Sequence, residues 1–246
     1  MIRIRRISKP AELTDEVQKN LTFEYLSDNK KAVWNKPYIK TALLKMTHGK
    51  CCYCEKKVGV GFTDMHVEHF KPKSLYPMEV INWNNLLPAC SDCNRNKSNH
   101  DTCAVPIVNP ADEDPREFFY LKDYMYRSFD TSEESKANAT IEVLGLNDLD
   151  KKCIVRYEIA TKMVKRLLEI CDYAKLNIAE LPYDIRKRNK VVHGCRDLLY
   201  KCVPSAEYSA FTATALQTDS NYIELKKILI DTGQWNEELE ALDKES

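Results

Sequence analysis

Apolar residues recur every three or four positions through most of the chain, and the chain changes character where that rhythm breaks. Leu13, Val17, Leu21, Tyr25 and Leu26 follow helical spacing across residues 11–27, and Ile39, Leu43, Leu44 and Met46 repeat it from Pro37 to His48, just before Gly49. Two opening helices are expected, with His48 at the C-terminal end of the second, where a cationic imidazole suits the helix dipole. From Cys51 to Asp101 the apolar stretches are short, Gly59 and Gly61 interrupt them, and metal-ligating residue types crowd together. Residues 104–123 carry Pro106, Pro110 and Pro115 around an acidic stretch and read as an irregular connection. Helical periodicity then returns, with helices expected over 132–145, 148–177, 183–203, 205–217 and 219–231. The longest should bury Ile154, Tyr157, Val164, Leu168 and Cys171 along one face. The expected organisation is α+β and mainly helical: helices over 1–50 packing on a chemical centre at 51–103, a connection over 104–131, and a helical C-terminal bundle over 132–246.

A chain of 246 residues is long enough for two units with separate cores. No apolar run approaches the ~20 residues needed to cross a bilayer, and the basic start Met1-Ile2-Arg3-Ile4-Arg5-Arg6 has no long apolar segment behind it. A cytoplasmic location without membrane contact is expected. Lys plus Arg and Asp plus Glu balance at 37 each, which argues against coating nucleic acid by bulk charge, so any such contact must come from local patches or a partner. The densest basic run, Arg186, Lys187, Arg188 and Lys190, is either a solvated helix face or one such patch. Ten cysteines without an export signal suggest metal binding for the paired ones rather than disulfides. Cys103, Cys153, Cys171, Cys195 and Cys202 fit no ligand pattern and read as buried small apolar residues.

Cys51 and Cys54 form one C-x2-C pair and Cys90 and Cys93 another, the spacing by which two knuckles offer four thiolates to tetrahedral Zn²⁺. Four sulfur ligands leave no open position, so this zinc should be structural and should add folding free energy to a region poor in core residues. Cys52 could pair with Cys54 instead, but the gap from Cys51 to Cys54 mirrors the second knuckle. The knuckles are separated by 35 residues, more than a plain zinc ribbon requires.

Inside that gap lies Asp64-Met65-His66-Val67-Glu68-His69-Phe70-Lys71-Pro72. Further on come Asn82-Trp83-Asn84-Asn85-Leu86-Leu87 and Cys90-Ser91-Asp92-Cys93-Asn94-Arg95-Asn96-Lys97-Ser98. Over residues 50 to 100 these motifs resemble the HNH, or ββα-metal, nucleases. The resemblance implies two strands and a helix, with His69 as general base, Asn85 bracing the hairpin and Asn94 on the helix as a metal ligand. The third position is asparagine rather than histidine, a replacement also found in the HNH domain of RNA-guided CRISPR nucleases. Glu68 and Asn94 offer only oxygen, and such a hard, water-retaining site suits Mg²⁺ or Mn²⁺. Phosphodiester hydrolysis needs a base that is neutral near pH 7 and a cation against the scissile phosphate. Arg95, Lys97, Lys71 and Lys73 are candidates for backbone phosphates. His66 shares the strand face of Glu68 and is either a further ligand or a structural histidine. Neighbours in a regular strand point to opposite faces, so Glu68 and His69 can share a site only at a bulge or a strand end, which Pro72 favours.

The phrases Cys51-Cys52-Tyr53-Cys54-Glu55 and Val67-Glu68-His69-Phe70-Lys71-Pro72-Lys73-Ser74, followed by a helical half, resemble the retron- and Septu-associated HNH proteins called PtuB more closely than restriction or homing enzymes. That resemblance implies a nuclease of bacterial antiphage defence working beside an ATPase, PtuA, on nucleic acid, DNA before RNA. Two other readings stay open: a stand-alone restriction-type nuclease, and a non-catalytic zinc-knuckle binding module, which would have no use for Glu68, His69 and Asn94 together.

Overall fold

The computed structural model describes residues 1–132 and 134–245, and the chain divides into two compact units, Met1–Asp148 and Leu149–Ser246. In the first unit α1 (Asp15–Ser27) starts at Thr14, whose hydroxyl accepts from Val17 N, and α2 (Pro37–Met46) starts on a proline whose missing N–H costs nothing in the first turn. Strands β1 (Met65–His69) and β2 (Leu86–Cys90) pair antiparallel, from Met65↔Cys90 to His69↔Leu86. Every residue of β2 is buried, because its Leu-Leu-Pro-Ala-Cys run is covered on both sides. Pro88 has no N–H for the ladder, and its carbonyl turns to the first knuckle, accepting from Cys52 N at 2.8 Å. Helix α3 (Ser91–Lys97) follows directly, capped at its N-terminus by the Cys90 sulfur, which accepts from Cys93 N at 3.5 Å. Leu13, Ile39, Leu43, Tyr53, Val80, Ile81, Leu86, Leu87 and Leu144 share one core.

The stretch 104–131 is not the irregular connection that its prolines suggest. Ile107, Val108 and Asn109 are buried, and β3 (Phe119–Lys122) and β4 (Met125–Ser128) form a hairpin. Its two turn residues, Asp123 and Tyr124, both have positive φ (51° and 64°). This is the geometry of a tight hairpin turn without the usual Asn-Gly signal, so the sequence pattern does not announce it.

The boundary also differs from the one expected at residue 132. Helix α4 (Lys136–Val143) belongs to the first unit: Thr140 Oγ1 accepts from Val108 N at 2.8 Å, Asn96 Nδ2 donates to Leu144 O at 3.1 Å, and Leu144 and Leu146 lie in the first core. Tertiary hydrogen bonds and burial, not helical periodicity, decide to which unit a short helix belongs.

The second unit holds a short π-helical segment (Leu149–Cys153) and helices α5 (Ile154–Leu176), α6 (Ile185–Leu199), α7 (Ser209–Gln217), α8 (Ser220–Asp231) and α9 (Glu237–Glu245). Helix α5 buries Ala160, Met163, Leu167, Ile170, Cys171 and Ala174, whereas Ile154, Tyr157 and Leu168 of the expected face are exposed. Small residues explain the rotation. Ala160 and Ala174 allow close approach, and a Cβ added to Gly194 of α6 would stand 2.7 Å from Ile170 Cδ1. Within the basic run of α6, Lys187 pairs with Glu180, and Lys190 lies 3.7 Å from the centre of the Tyr173 ring. Cys153, Cys171, Cys195 and Cys202 are buried as expected, but Cys103 is exposed. Its turn is held by Asp101, whose carboxylate accepts from the Cys103 N–H at 2.9 Å, so the backbone rather than thiol packing orders this position.

Candidate active site and zinc clamp

Cys51, Cys54, Cys90 and Cys93 are all buried, and their sulfurs lie within 4.8 Å of one another. Cys54 Sγ and Cys90 Sγ are 3.7 Å apart. Tetrahedral thiolates at a Zn–S distance of about 2.3 Å stand about 3.8 Å from each other, so this donor set fits a closed zinc site. Cys52 lies outside the cluster; burial pushes its thiol well above the ordinary range and keeps it protonated. The first knuckle is pinned by Glu55, left-handed at φ 65° and buried between the Lys50 ammonium at 3.1 Å and the Met1 amino group at 2.7 Å.

The four cysteines bring the 51–54 loop against the junction of β2 and α3, both of which pack on β1. A cavity of about 340 Å³ is lined by Trp34, His66, Glu68, His69, Lys73, Asn94, Arg95, Ser98 and Asn99, together with Val67 and Pro72. Glu68 and His69 both line it because β1, regular up to that point, ends at His69. The His69 carbonyl accepts from Lys97 Nζ at 2.9 Å, and Phe70 N donates to Asn85 O at 2.9 Å. Asn85 holds the chain beyond the strand. Its Oδ1 accepts from Lys71 N at 2.7 Å, and its Nδ2 donates to Lys71 O at 3.0 Å and Glu79 O at 3.1 Å.

His69 is 5% exposed, and its Nε2 lies 2.9 Å from Val80 O. A carbonyl only accepts, so Nε2 carries the proton and Nδ1 keeps its lone pair. Burial, with Lys73 nearby, pulls the imidazole pKa down to about 3, so the ring is neutral. Glu68 is also buried; burial raises its carboxyl to about 7 against the opposing pull of Lys97. Lys97 Nζ stands 2.7 Å from Glu68 Oε1, and a carboxylate oxygen in one such ion pair has a second lone pair to offer. It therefore retains a lone pair for a cation, and with the Asn94 side chain lining the same cavity the oxygen donors fit a hard divalent ion.

Of the residues expected on nucleic acid, Lys97 is turned inward at 1% exposure, so it is not available to a phosphate. Its partners are supplied by β1 across the motif, which spacing along α3 does not reveal. Arg95 is exposed and pairs with Asp92 at 2.7 Å; Lys71 is exposed, and Lys73 sits 4.9 Å from the Trp34 ring centre. His66 is exposed at the cavity rim. Sequence reasoning missed Trp34, which packs edge-on against His69 with centroids 4.8 Å apart. The one signal for it was the short apolar run Ala32-Val33-Trp34 in the link between α1 and α2.

Comparison with known proteins shows the family. Residues 51–100 match the family model described as HNH endonuclease. The chain is 39% identical over 245 residues, 98% of its length and 92% of the relative's, to the Septu protein PtuB of Bacillus thuringiensis. It is 26% identical over 281 residues, 94% of each chain, to the Septu protein PtuB of Bacillus mycoides strain KBAB4.

Proposed function

The chain belongs to the Septu PtuB family and carries an HNH endonuclease domain, and from that premise we propose that it hydrolyses DNA with Mg²⁺ or Mn²⁺ as the catalytic cation, as the nuclease of a cytoplasmic antiphage system that works with a PtuA-type ATPase. The carrying observation is that Glu68, His69 and Asn94 line one cavity while Val80 O occupies the far nitrogen of His69. In this reading His69 Nδ1 takes a proton from the attacking water, and the other ring nitrogen, bonded to Val80 O, keeps the ring in place. Asn85 fixes the loop that ends β1, so the imidazole meets the water at a constant angle. Glu68 and Asn94 would hold the divalent ion, which supplies charge neutralisation at the scissile phosphate and leaving oxygen when bound. Zn²⁺ at the four thiolates is structural and takes no part in the reaction.

Lys71, Lys73 and Arg95 remain as phosphate contacts, with Arg95 first leaving Asp92. The chain's zero net charge fits an enzyme that draws affinity from a partner, and no described helix is long and apolar enough to cross a membrane. The test is incubation of the purified protein with plasmid, single-stranded DNA and RNA, with and without Mg²⁺, alone and with the ATPase. Mg²⁺-dependent cleavage of DNA that His69→Ala abolishes, with zinc content unchanged, is expected. Full activity of that variant would overturn the mechanism, and cleavage of RNA alone would overturn the substrate.

A further inference from the structure

The β3–β4 hairpin has no part in the cleavage site, and its two faces differ in chemistry. Pairing sets Tyr120 opposite Arg127 and Lys122 opposite Met125. One face carries Phe119, Leu121 and Tyr126, which pack on the core. The other carries Tyr120, Lys122, Met125 and Arg127. Phe129 N donates to Phe118 O at 3.2 Å, which extends the ladder by one pair; Phe118 packs on the core, and the exposed Phe129 ring lies beside Tyr120. Tyr120 is 41% exposed and Phe129 61%, with centroids 5.2 Å apart and planes inclined by 38°. Lys122 and Arg127 are exposed, and among the described residues neither has a carboxylate within ion-pair distance; Arg127 reaches only the Met125 sulfur, at 3.6 Å. Asp123 is the single acid in this segment and lies in the turn beside Tyr124.

We propose that this outer face binds a single-stranded stretch of the nucleic acid substrate, with bases stacking on Tyr120 and Phe129 and phosphates meeting Lys122 and Arg127. The proposal rests on the nuclease reading above and adds where, and in what form, the substrate is held. Exposed rings beside unpaired cations are the combination that unpaired bases and their backbone require, whereas a duplex hides its π-faces. The need is local. The chain has no net positive charge, Lys97 is committed inside the motif and Arg95 is paired with Asp92, so cations close to the cavity are few.

The test is the affinity of the full-length protein for a fluorescein-labelled oligothymidine in Mg²⁺-free buffer. Tyr120→Ala and Phe129→Ala should each weaken binding about tenfold, the loss expected for one stacked base, while Tyr120→Phe should retain it. Arg127→Ala should reduce the slope of log affinity against log salt by about one. Zinc content and melting should stay at the wild-type values in all four, and oligonucleotides carrying 5-iodouracil should photo-crosslink to Tyr120 or Phe129. Wild-type affinity in both Tyr120→Ala and Phe129→Ala, or crosslinks mapping elsewhere, would overturn the assignment. Unchanged oligothymidine affinity combined with loss of a copurifying protein would overturn it in favour of a protein-docking face. Mg²⁺-dependent plasmid cleavage is measured in parallel with the ATPase present: cleavage with unaltered binding rejects only the hairpin site, whereas absence of cleavage rejects the nuclease reading itself.

Discussion

Lys97 at 1% exposure and Glu68 at 3% hold opposite charges in a space that water scarcely reaches. Such a pair adds little net stability when intact, but removal of one partner strands the other charge, at about 3–5 kcal/mol. Lys97→Met should therefore lower the unfolding free energy measured in urea by an amount in that range, and Lys97→Met with Glu68→Gln should lose less than the sum of the two single changes. Additive losses would show that the two groups do not interact. Trp34 acts on the same strand end differently, through the edge-on contact that limits rotation of the His69 ring. Trp34→Ala should lower kcat about ten- to a hundredfold with KM little changed, because a displaced base is penalised in the transition state rather than in binding. A rise in KM at constant kcat would make Trp34 a substrate contact instead.

At the scale of elements, the α5–α6 contact is limited by one glycine. A methyl at Gly194 would overlap Ile170, at 2.7 Å from Cδ1 and 2.9 Å from Cγ1. Overpacking of this kind costs about 1–3 kcal/mol, more than the roughly 1 kcal/mol gained by replacing a mid-helix glycine with alanine. Gly194→Ala should therefore destabilise the second unit in urea unfolding, and adding Ile170→Val should recover part of the loss. Helix α4 makes a parallel case for the first unit. A fragment ending at Asp148 should bind zinc and stay soluble, whereas one ending at residue 131 loses Ala137, Thr140, Leu144 and Leu146 and should precipitate or fail to hold metal. Metal analysis and gel filtration of both fragments distinguish the outcomes.

Across the whole molecule the two units have separate cores, and the cysteine cluster lies in the first. Removal of zinc by a chelator should abolish the first unit's cooperative unfolding transition, since a structural site contributes its binding free energy to folding, and leave the helical unit's transition in place. Differential scanning calorimetry before and after chelation reads both. A single transition lost entirely on chelation would show that the second unit cannot fold without the first.

The residues proposed to carry chemistry were legible in the chain because their signals are short-range. Two C-x2-C pairs, a Glu-His pair before a proline, and Asn85 and Asn94 just before β2 and within α3 are statements about spacing and side-chain type, and these decide what can bind metal or take a proton. Helices in both halves were legible for the same reason, since the 3.6-residue period is a local property. Tertiary structure alone decided where charge and apolar surface end up. Lys97 looked like a surface cation because its partners, Glu68 and the His69 carbonyl, come from a strand 28 residues away. Trp34 meets His69 only once the α1–α2 link crosses the motif, and α5 turns Ile154, Tyr157 and Leu168 outward because Ala160, Ala174 and Gly194 let the helices approach on another face. Burial depends on what the rest of the chain places opposite a residue, so it has no counterpart in local sequence.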